Sequence, residues 1–211
     1  SGSAENIFEV ESDWSAASYF LGISVGVDEV DLFLPRLYED SLQGDQAIAG
    51  LASKFGVGHE YVDGGLRIFK EETGEEDLLD IDFLEFPDLA QTVIVMAAIA
   101  GKTGFFTGLE TLKIKETDRI HALQTELKKV GISFRQLPPK FSPHSKKTFY
   151  TVNGVLDLAQ VPTFATYEDH RMAMALAMLA TKSSLQIENP SVVKKSFPKY
   201  WEVLQGLGFT V

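Results

Sequence analysis

The sequence predicts an α/β fold made of repeated βαβαββ units, with buried helices and small sheets. Three observations predict it. Three stretches each open on an aspartate (Asp13, Asp88, Asp169) and run into a segment that is apolar nearly all round. Their spacing recurs: Asp13 to Asp88 is 75 residues, Asp88 to Asp169 is 81, and the runs to a closing glycine (Gly56, Gly131, Gly208) are 43, 43 and 39. Short runs of strand character, bounded by turn residues, lie between. Agreement of that kind marks an internal repeat.

Each element follows from its residues. Asp13 can cap the helix that starts at Trp14, and a helix apolar all round is buried rather than lying on the surface. Val30–Leu34 reads as a strand, followed by a helix ending at Lys54-Phe55-Gly56. Tyr61–Phe69 reads as strand on both sides of an Asp63-Gly64-Gly65 turn. In the second unit, Pro87-Asp88 precedes the helix Leu89–Ala98, and Thr103–Leu109 is a strand. Lys113–Ile120 is where a short strand is expected to hand over to a helix capped by Thr117 or Asp118. Ile120, Leu123, Leu127 and Val130 fall at helical spacing there, and Gly131 supplies the stop. The stretch Leu137–Lys147, with three prolines and three lysines, reads as an exposed loop. Thr148–Val152 closes on Asn153-Gly154, a hairpin signal. In the third unit, the Met-Ala stripe Met172–Met178 is core packing that makes the helix a rigid mount for its N-terminal residues. Ser184–Glu188 is a strand, and Tyr200–Leu207 a helix stopped by Gly208.

Composition bounds the function. At 211 residues and 45% apolar, the chain can bury a sizeable core. A formal charge of −11 argues against binding duplex nucleic acid and makes any cluster of cations more telling. With no cysteine there is no disulfide framework or thiolate nucleophile, which fits a reducing, cytoplasmic setting. The longest apolar runs, Val93–Gly101 and Met172–Ala180, fall short of the roughly 20 residues of a membrane span. The four histidines (His59, His121, His144, His170) lack metal-ligand spacing, so neither metal nor cofactor is expected. Residues 1–7, opening Ser1-Gly2-Ser3 without a methionine, read as a cloning remnant or domain junction of a longer protein, and 8–211 as one domain.

The chemistry concentrates at helix mouths. In Lys115-Glu116-Thr117-Asp118-Arg119 two cations stand where the helix dipole disfavours them, which makes sense opposite a phosphate or carboxylate ligand. His170 and Arg171 repeat the pattern in the third unit. Lys115 lies 27 residues after Asp88 and Lys195 lies 26 after Asp169, so two repeats deliver a lysine to the same place. Taken singly, Asp88 is a helix cap, each lysine a solvated side chain and Arg171 a member of a structural ion pair. Taken together, Lys115, Arg119, Arg171 and Lys195 form an anion cradle around the acid–base candidates Asp88 and Glu116.

These residues carry a family resemblance. Lys115–Arg119, Glu168–Met174 and Lys195-Ser196-Phe197-Pro198 resemble, in order and spacing, signature motifs of the 3-phosphoshikimate 1-carboxyvinyltransferase (EPSP synthase) family, the family targeted by glyphosate. Pro87–Ala90 and Asp13–Tyr19 are similar to two more, so the likeness runs from about Phe8 to Gly208. The resemblance implies transfer of the enolpyruvyl group of phosphoenolpyruvate to the 5-hydroxyl of shikimate 3-phosphate, through a tetrahedral intermediate, with release of phosphate. It implies two domains of three βαβαββ units each, with helix N-termini facing the cleft between them.

Residue by residue, the resemblance makes Asp88 the base at the 5-hydroxyl, Glu116 the carboxylate that shuttles a proton at the enolpyruvyl methylene carbon, and Lys115 a shikimate 3-phosphate ligand. It makes Arg119, Arg171 and Lys195 the cations that hold phosphoenolpyruvate, with Lys195 also donating a proton to the leaving phosphate. His170 tunes Glu116. Thr111 stands where some members place Asn or Arg near the shikimate phosphate. The other domain's Lys-Ser pair, Gly-rich loop and Ser-Ser-Gln site are not found, so the chain is expected to be the C-terminal domain, partnered by a missing N-terminal domain and inactive alone. Two other readings are a UDP-N-acetylglucosamine enolpyruvyl transferase, disfavoured by the two charged motifs, and a non-catalytic anion-binding module.

Overall fold

The computed structural model describes residues 10–72 and 78–211, so residues 1–7 lie outside the described part. Three successive units build one core. The first contributes α1 (Trp14–Gly26), β1 (Asp31–Pro35), α2 (Ala47–Ser53), β2 (Val57–Val62) and β3 (Gly65–Lys70). The second shows the whole βαβαββ order: β4 (Leu78–Asp82), α3 (Ala90–Ala100), β5 (Thr103–Thr107), α4 (Arg119–Lys128), β6 (Ile132–Gln136) and β7 (Tyr150–Gly154). The third contributes β8 (Thr163–Phe164), α5 (His170–Ala177), β9 (Gln186–Ile187) and α6 (Tyr200–Gly206).

Sheet topology repeats with the units. The first sheet is antiparallel, in the order β1-β3-β2; the second runs β4-β5-β7-β6, with β4 parallel to β5 and the other pairs antiparallel. The third is the parallel pair β8-β9. Among the described residues, β9 has no strand on the edge where β5 carries β7. An apolar cleft lined by Leu185, Ile187, Trp201, Leu204, Leu207 and Phe209 opens beside it.

The first helices of the three units pack on one another at the centre. Every residue of α3 but Ala100, and every residue of α5 but Arg171, is buried. Small residues allow close approach: a Cβ on Gly22 of α1 would lie 2.2 Å from the Met178 sulfur. The hydroxyls of Ser18 and Thr92 meet at 3.2 Å between α1 and α3, so these two buried polar groups satisfy each other. The second helix of the middle unit, α4, is amphipathic. In α4, Ile120, Leu123 and Leu127 face inward, as their spacing predicts.

The closing glycines share one backbone conformation. Gly56, Gly131 and Gly208 adopt left-handed φ of 77°, 79° and 97°, a conformation that only glycine takes without strain.

Four expectations need correction. Lys113–Ile120 is no strand-to-helix handover: β5 ends at Thr107, and a 3-10 helix (Glu110–Ile114) precedes the Asp118 cap of α4. A matching 3-10 helix, Pro190–Lys195, sits in the third unit, which is why the two lysines match. Asn153-Gly154 is no turn but the end of β7, paired with Ser133 and Ile132. Gly154 is needed because a Cβ there would meet the Gly131 carbonyl at 2.5 Å. Asp13 and Asp169 cap α1 and α5, but Asp88 caps nothing: it sits in a 3-10 turn, Pro87–Leu89, ahead of α3. Finally, the expected strand Ser184–Glu188 shrinks to two paired residues.

The repeat glycines make a test. Gly131→Ala is expected to destabilise by about 2–3 kcal/mol, because the left-handed backbone is strained and the new Cβ meets the Val155 carbonyl at 2.7 Å. Gly208→Ala, with open space around its Cβ, carries only the backbone term of about 1–2 kcal/mol. Urea unfolding of both variants measures the gap; equal losses would show that the Val155 contact relaxes freely.

Candidate active site

Three helix mouths meet at one spot. Asp88 comes from the turn before α3, Glu116 and Arg119 from the start of α4, and Asp169, His170 and Arg171 from the start of α5. Lys115 and Lys195 arrive from the ends of the two matching 3-10 helices.

Arg119 is the hub. Its side chain is 1% exposed, and every nitrogen is bonded to protein. Nε donates to Asp169 Oδ2 at 2.7 Å, Nη1 to Asp88 Oδ1 at 3.2 Å, and Nη2 to Glu116 Oε2 at 2.7 Å and Asp169 Oδ1 at 3.3 Å. The Gln91 amide, oriented with its carbonyl toward the guanidinium, accepts from Nε at 2.9 Å. Arg119 therefore lies beneath the other groups and orders the carboxylates.

Asp88 gathers three cations. Besides Arg119, it takes Lys115 Nζ at 3.3 Å and Arg171 Nη2 at 3.0 Å. Glu116 takes Lys195 Nζ at 2.5 Å on its second oxygen. Asp169 also accepts from the Arg171 backbone N–H at 2.8 Å, so it is cap and counter-charge at once. Exposure rises outward from Asp169, fully buried, through Asp88 and Glu116, near 30%, to Lys195 at 59%.

The charges set the protonation states. Burial works to raise the Asp88 pKa, but Arg171, Lys115 and Arg119 outweigh it and hold the carboxyl below its usual range. The Lys195 hydrogen bond, aided by Arg119, brings Glu116 down to about 2. Burial, helped by Arg171 and Lys195 against Asp169 and Glu116, lowers His170, which favours the neutral ring; its buried Nδ1 has no hydrogen-bond partner. Burial also works against Arg171, yet Tyr19, Asp88 and Asp45 keep it firmly charged. The site thus holds two ionised carboxylates, each clamped between cations and each open to solvent on one side. Such an arrangement can accept protons and exchange its carboxylates for incoming anions.

All of the predicted residues but Thr111 enter this cluster or its edge. Thr111 is exposed in the 3-10 helix four residues before Lys115. Sequence reasoning missed Asp169 as the partner of Arg119, having read it only as a cap. It also missed Gln91, Asp45 and the buried Tyr19 behind Arg171. A glutamine inside the apolar run Leu89–Ala98, three residues after Asp88, was the available signal.

The hub sets two expected outcomes. Arg119→Met leaves the fully buried Asp169 without its counter-charge and should lower stability by about 3–5 kcal/mol in urea unfolding. Arg119→Met combined with Asp169→Leu should recover part of that loss, whereas additive losses would rule out direct coupling. The second concerns pH. A carboxyl with a depressed folded pKa contributes stability above its unfolded value, 4.5 for Glu116, and loses it as pH falls toward the folded value of about 2. Between those limits the wild-type unfolding midpoint should fall more steeply than that of Glu116→Gln; parallel pH curves would contradict the clamp.

Comparisons with known proteins show the family. A family model described as EPSP synthase (3-phosphoshikimate 1-carboxyvinyltransferase) matches residues 2–204. A 3-phosphoshikimate 1-carboxyvinyltransferase of Bacteroides fragilis is 44% identical over 97% of this chain and 48% of its own length. The enzyme of the same name from Syntrophobacter fumaroxidans is 32% identical over 94% of this chain and 44% of its own. The solved EPSP synthase of Acinetobacter baumannii shares the fold, with a TM-score of 0.66 at 21% identity over 93% of this chain and 46% of that one. The chain thus spans about half the length of the curated relatives it matches. It belongs to the EPSP synthase family.

Proposed function

We propose that this chain supplies one wall of a site that transfers the enolpyruvyl group of phosphoenolpyruvate to the 5-hydroxyl of shikimate 3-phosphate. The observation that carries the reading is the pair Asp88 and Glu116, ionised and partly exposed, each held by cations from two different units. Membership of the family supports the substrate pair; the clamp supports the chemistry.

In this reading an arriving polyanion competes for the exposed cations. The phosphate of shikimate 3-phosphate takes Lys115 from Asp88, with Thr111 at the edge of that contact. The carboxylate and phosphate of phosphoenolpyruvate engage Arg171 and Lys195, with Arg119 fixing the carboxylates behind them. Losing a cation raises the affinity of a carboxylate for a proton, so ligand binding itself converts Asp88 and Glu116 into bases. Asp88 accepts the proton of the 5-hydroxyl as that oxygen bonds to C2 of phosphoenolpyruvate, while Glu116, protonated once Lys195 has left it, gives its proton to C3 to complete the tetrahedral intermediate. Lys195 protonates the bridging oxygen as the C2–O bond to phosphate breaks. Glu116, beside His170, takes back the proton that C3 gives up as the double bond re-forms. The proton left on Asp88 returns through solvent to Lys195, and phosphate leaves.

A single wall excludes little water, so the chain alone should turn over little or nothing. A second domain completes the cleft.

Calorimetric titration of this chain with shikimate 3-phosphate tests the reading. Weak binding that Lys115→Ala abolishes is expected, and no heat at millimolar ligand from a chain with a well-dispersed NMR spectrum would overturn it. In the two-domain enzyme, Asp88→Asn and Glu116→Gln should each lower kcat by about 10²–10⁴-fold. Unchanged turnover in both would remove them from the mechanism.

A further inference from the structure

Helix α4 carries a second buried charge that the proposed chemistry does not use. Glu126 is 1% exposed, like Arg119, and lies seven residues further along, two helical turns away on the same face. The two residues grip opposite ends of one short stretch. Arg119 holds Asp169, whereas Glu126 Oε2 accepts from the Ala165 backbone N–H at 3.0 Å and Oε1 from the Tyr167 hydroxyl at 2.8 Å. Lys129 Nζ neutralises Glu126 at 2.6 Å and reaches the Thr163 carbonyl at 2.9 Å.

Between the two grips the backbone is strained. Tyr167 and Glu168 both adopt φ of 56°, and neither is a glycine. Successive left-handed residues persist only where the surroundings over-determine them. Each is held by its side chain: Tyr167 by Glu126, and Glu168 by the Asn189 amide, which donates to its carboxylate at 2.9 Å. The chain leaves this turn directly into Asp169, His170 and Arg171.

We propose that Glu126 is a positioning residue for the active site: through Tyr167 and Ala165 it pins the strained Tyr167–Glu168 turn that aims Asp169 at Arg119 and Arg171 at Asp88. It touches no reacting atom. Its effect reaches the site through the angle at which α5 presents its first turn.

The test reads the Arg119 Nε–H directly, by hydrogen exchange in ¹H–¹⁵N spectra of the labelled chain. Tyr167→Phe deletes only the hydroxyl and should speed exchange of that proton about tenfold, while the amides of α3 keep their wild-type protection. Asn189→Gly retains a backbone free to take the left-handed φ of 44° seen at Asn189, removes the bond to Glu168, and should act in the same direction with smaller effect. Ser24→Ala removes a buried hydroxyl that bonds the Phe20 carbonyl in α1, and should leave the Arg119 signal unchanged. Folded Tyr167→Phe and Asn189→Gly variants with wild-type Arg119 exchange would overturn the proposal, as would an equal acceleration in Ser24→Ala. If Tyr167→Phe does not fold, Glu126→Gln, which changes the acceptor for both Tyr167 and Ala165 at nearly constant shape, decides by the same readout. No substrate enters the measurement, so its outcome is separate from that of the enolpyruvyl reading.

Discussion

A guanidinium buried among three carboxylates is the constraint on which the rest of this structure depends. Moving Arg119 out of water is costly unless every N–H finds an acceptor, and the acceptors here come from three separate helix mouths. Asp88, Glu116 and Asp169 repel one another, so no two would sit together without the cation between them. The requirement therefore works in both directions: Arg119 needs the three mouths to converge, and the mouths can converge only around Arg119. Packing of the three buried helices alone would tolerate small slips along their axes. The ion cluster does not, because hydrogen bonds of 2.7 Å to both Asp169 and Glu116 fix α4 against α5 and against its own preceding turn.

The same cluster gives the site its chemical character. The buried pair Arg119–Asp169 is closed to solvent and acts as a foundation. The outer pairs, Lys115–Asp88 and Lys195–Glu116, are partly solvated, so exchange of their partners carries a modest penalty. A site built this way is already in order before any anion arrives, with its cations held apart by protein carboxylates instead of by ligand. In the proposed reaction an incoming dianion would replace protein acceptors one for one, leaving the displaced carboxylates among fewer positive charges, so that binding and activation of the bases would be one event.

Much of this was legible in the chain, and the misses have physical causes. The repeat was visible because it rests on local rules: an aspartate cap, an all-round apolar helix, and a glycine at the left-handed stop. The cations were visible because they oppose the helix dipole in an acidic protein. The role of Asp169 was hidden because one carboxylate serves both as cap and as partner to a residue 50 positions away, and local pattern accounts for only the first. Asp88 failed in the opposite sense: its sequence context matches a cap, yet three cations outcompete the free N–H groups of α3 for its oxygens. Asn153-Gly154 misled because glycine was required for close approach to Gly131 and not for a turn. In each case a contact distant in sequence overrode a local preference.

The three units have not shared this burden equally. At the place where the second and third units carry Lys115 and Lys195, the first carries Glu39 and Asp40, and where the third places Arg171 the first has Ser15. Ser15 donates to Asp45, and Asp45 and Tyr19 in turn stand near Arg171, so the first unit supplies acceptors and hydroxyls in place of cations. Three like-charged mouths would leave the cluster with more positive charge than its carboxylates could balance, and burying that excess without ligand would be unfavourable. Confining cations to two units keeps the cluster near neutrality, with Lys195 as its most exposed charge. The asymmetry also places the cations at the seam between the second and third units, where the proposed function needs them, and the first unit braces Arg171 from behind.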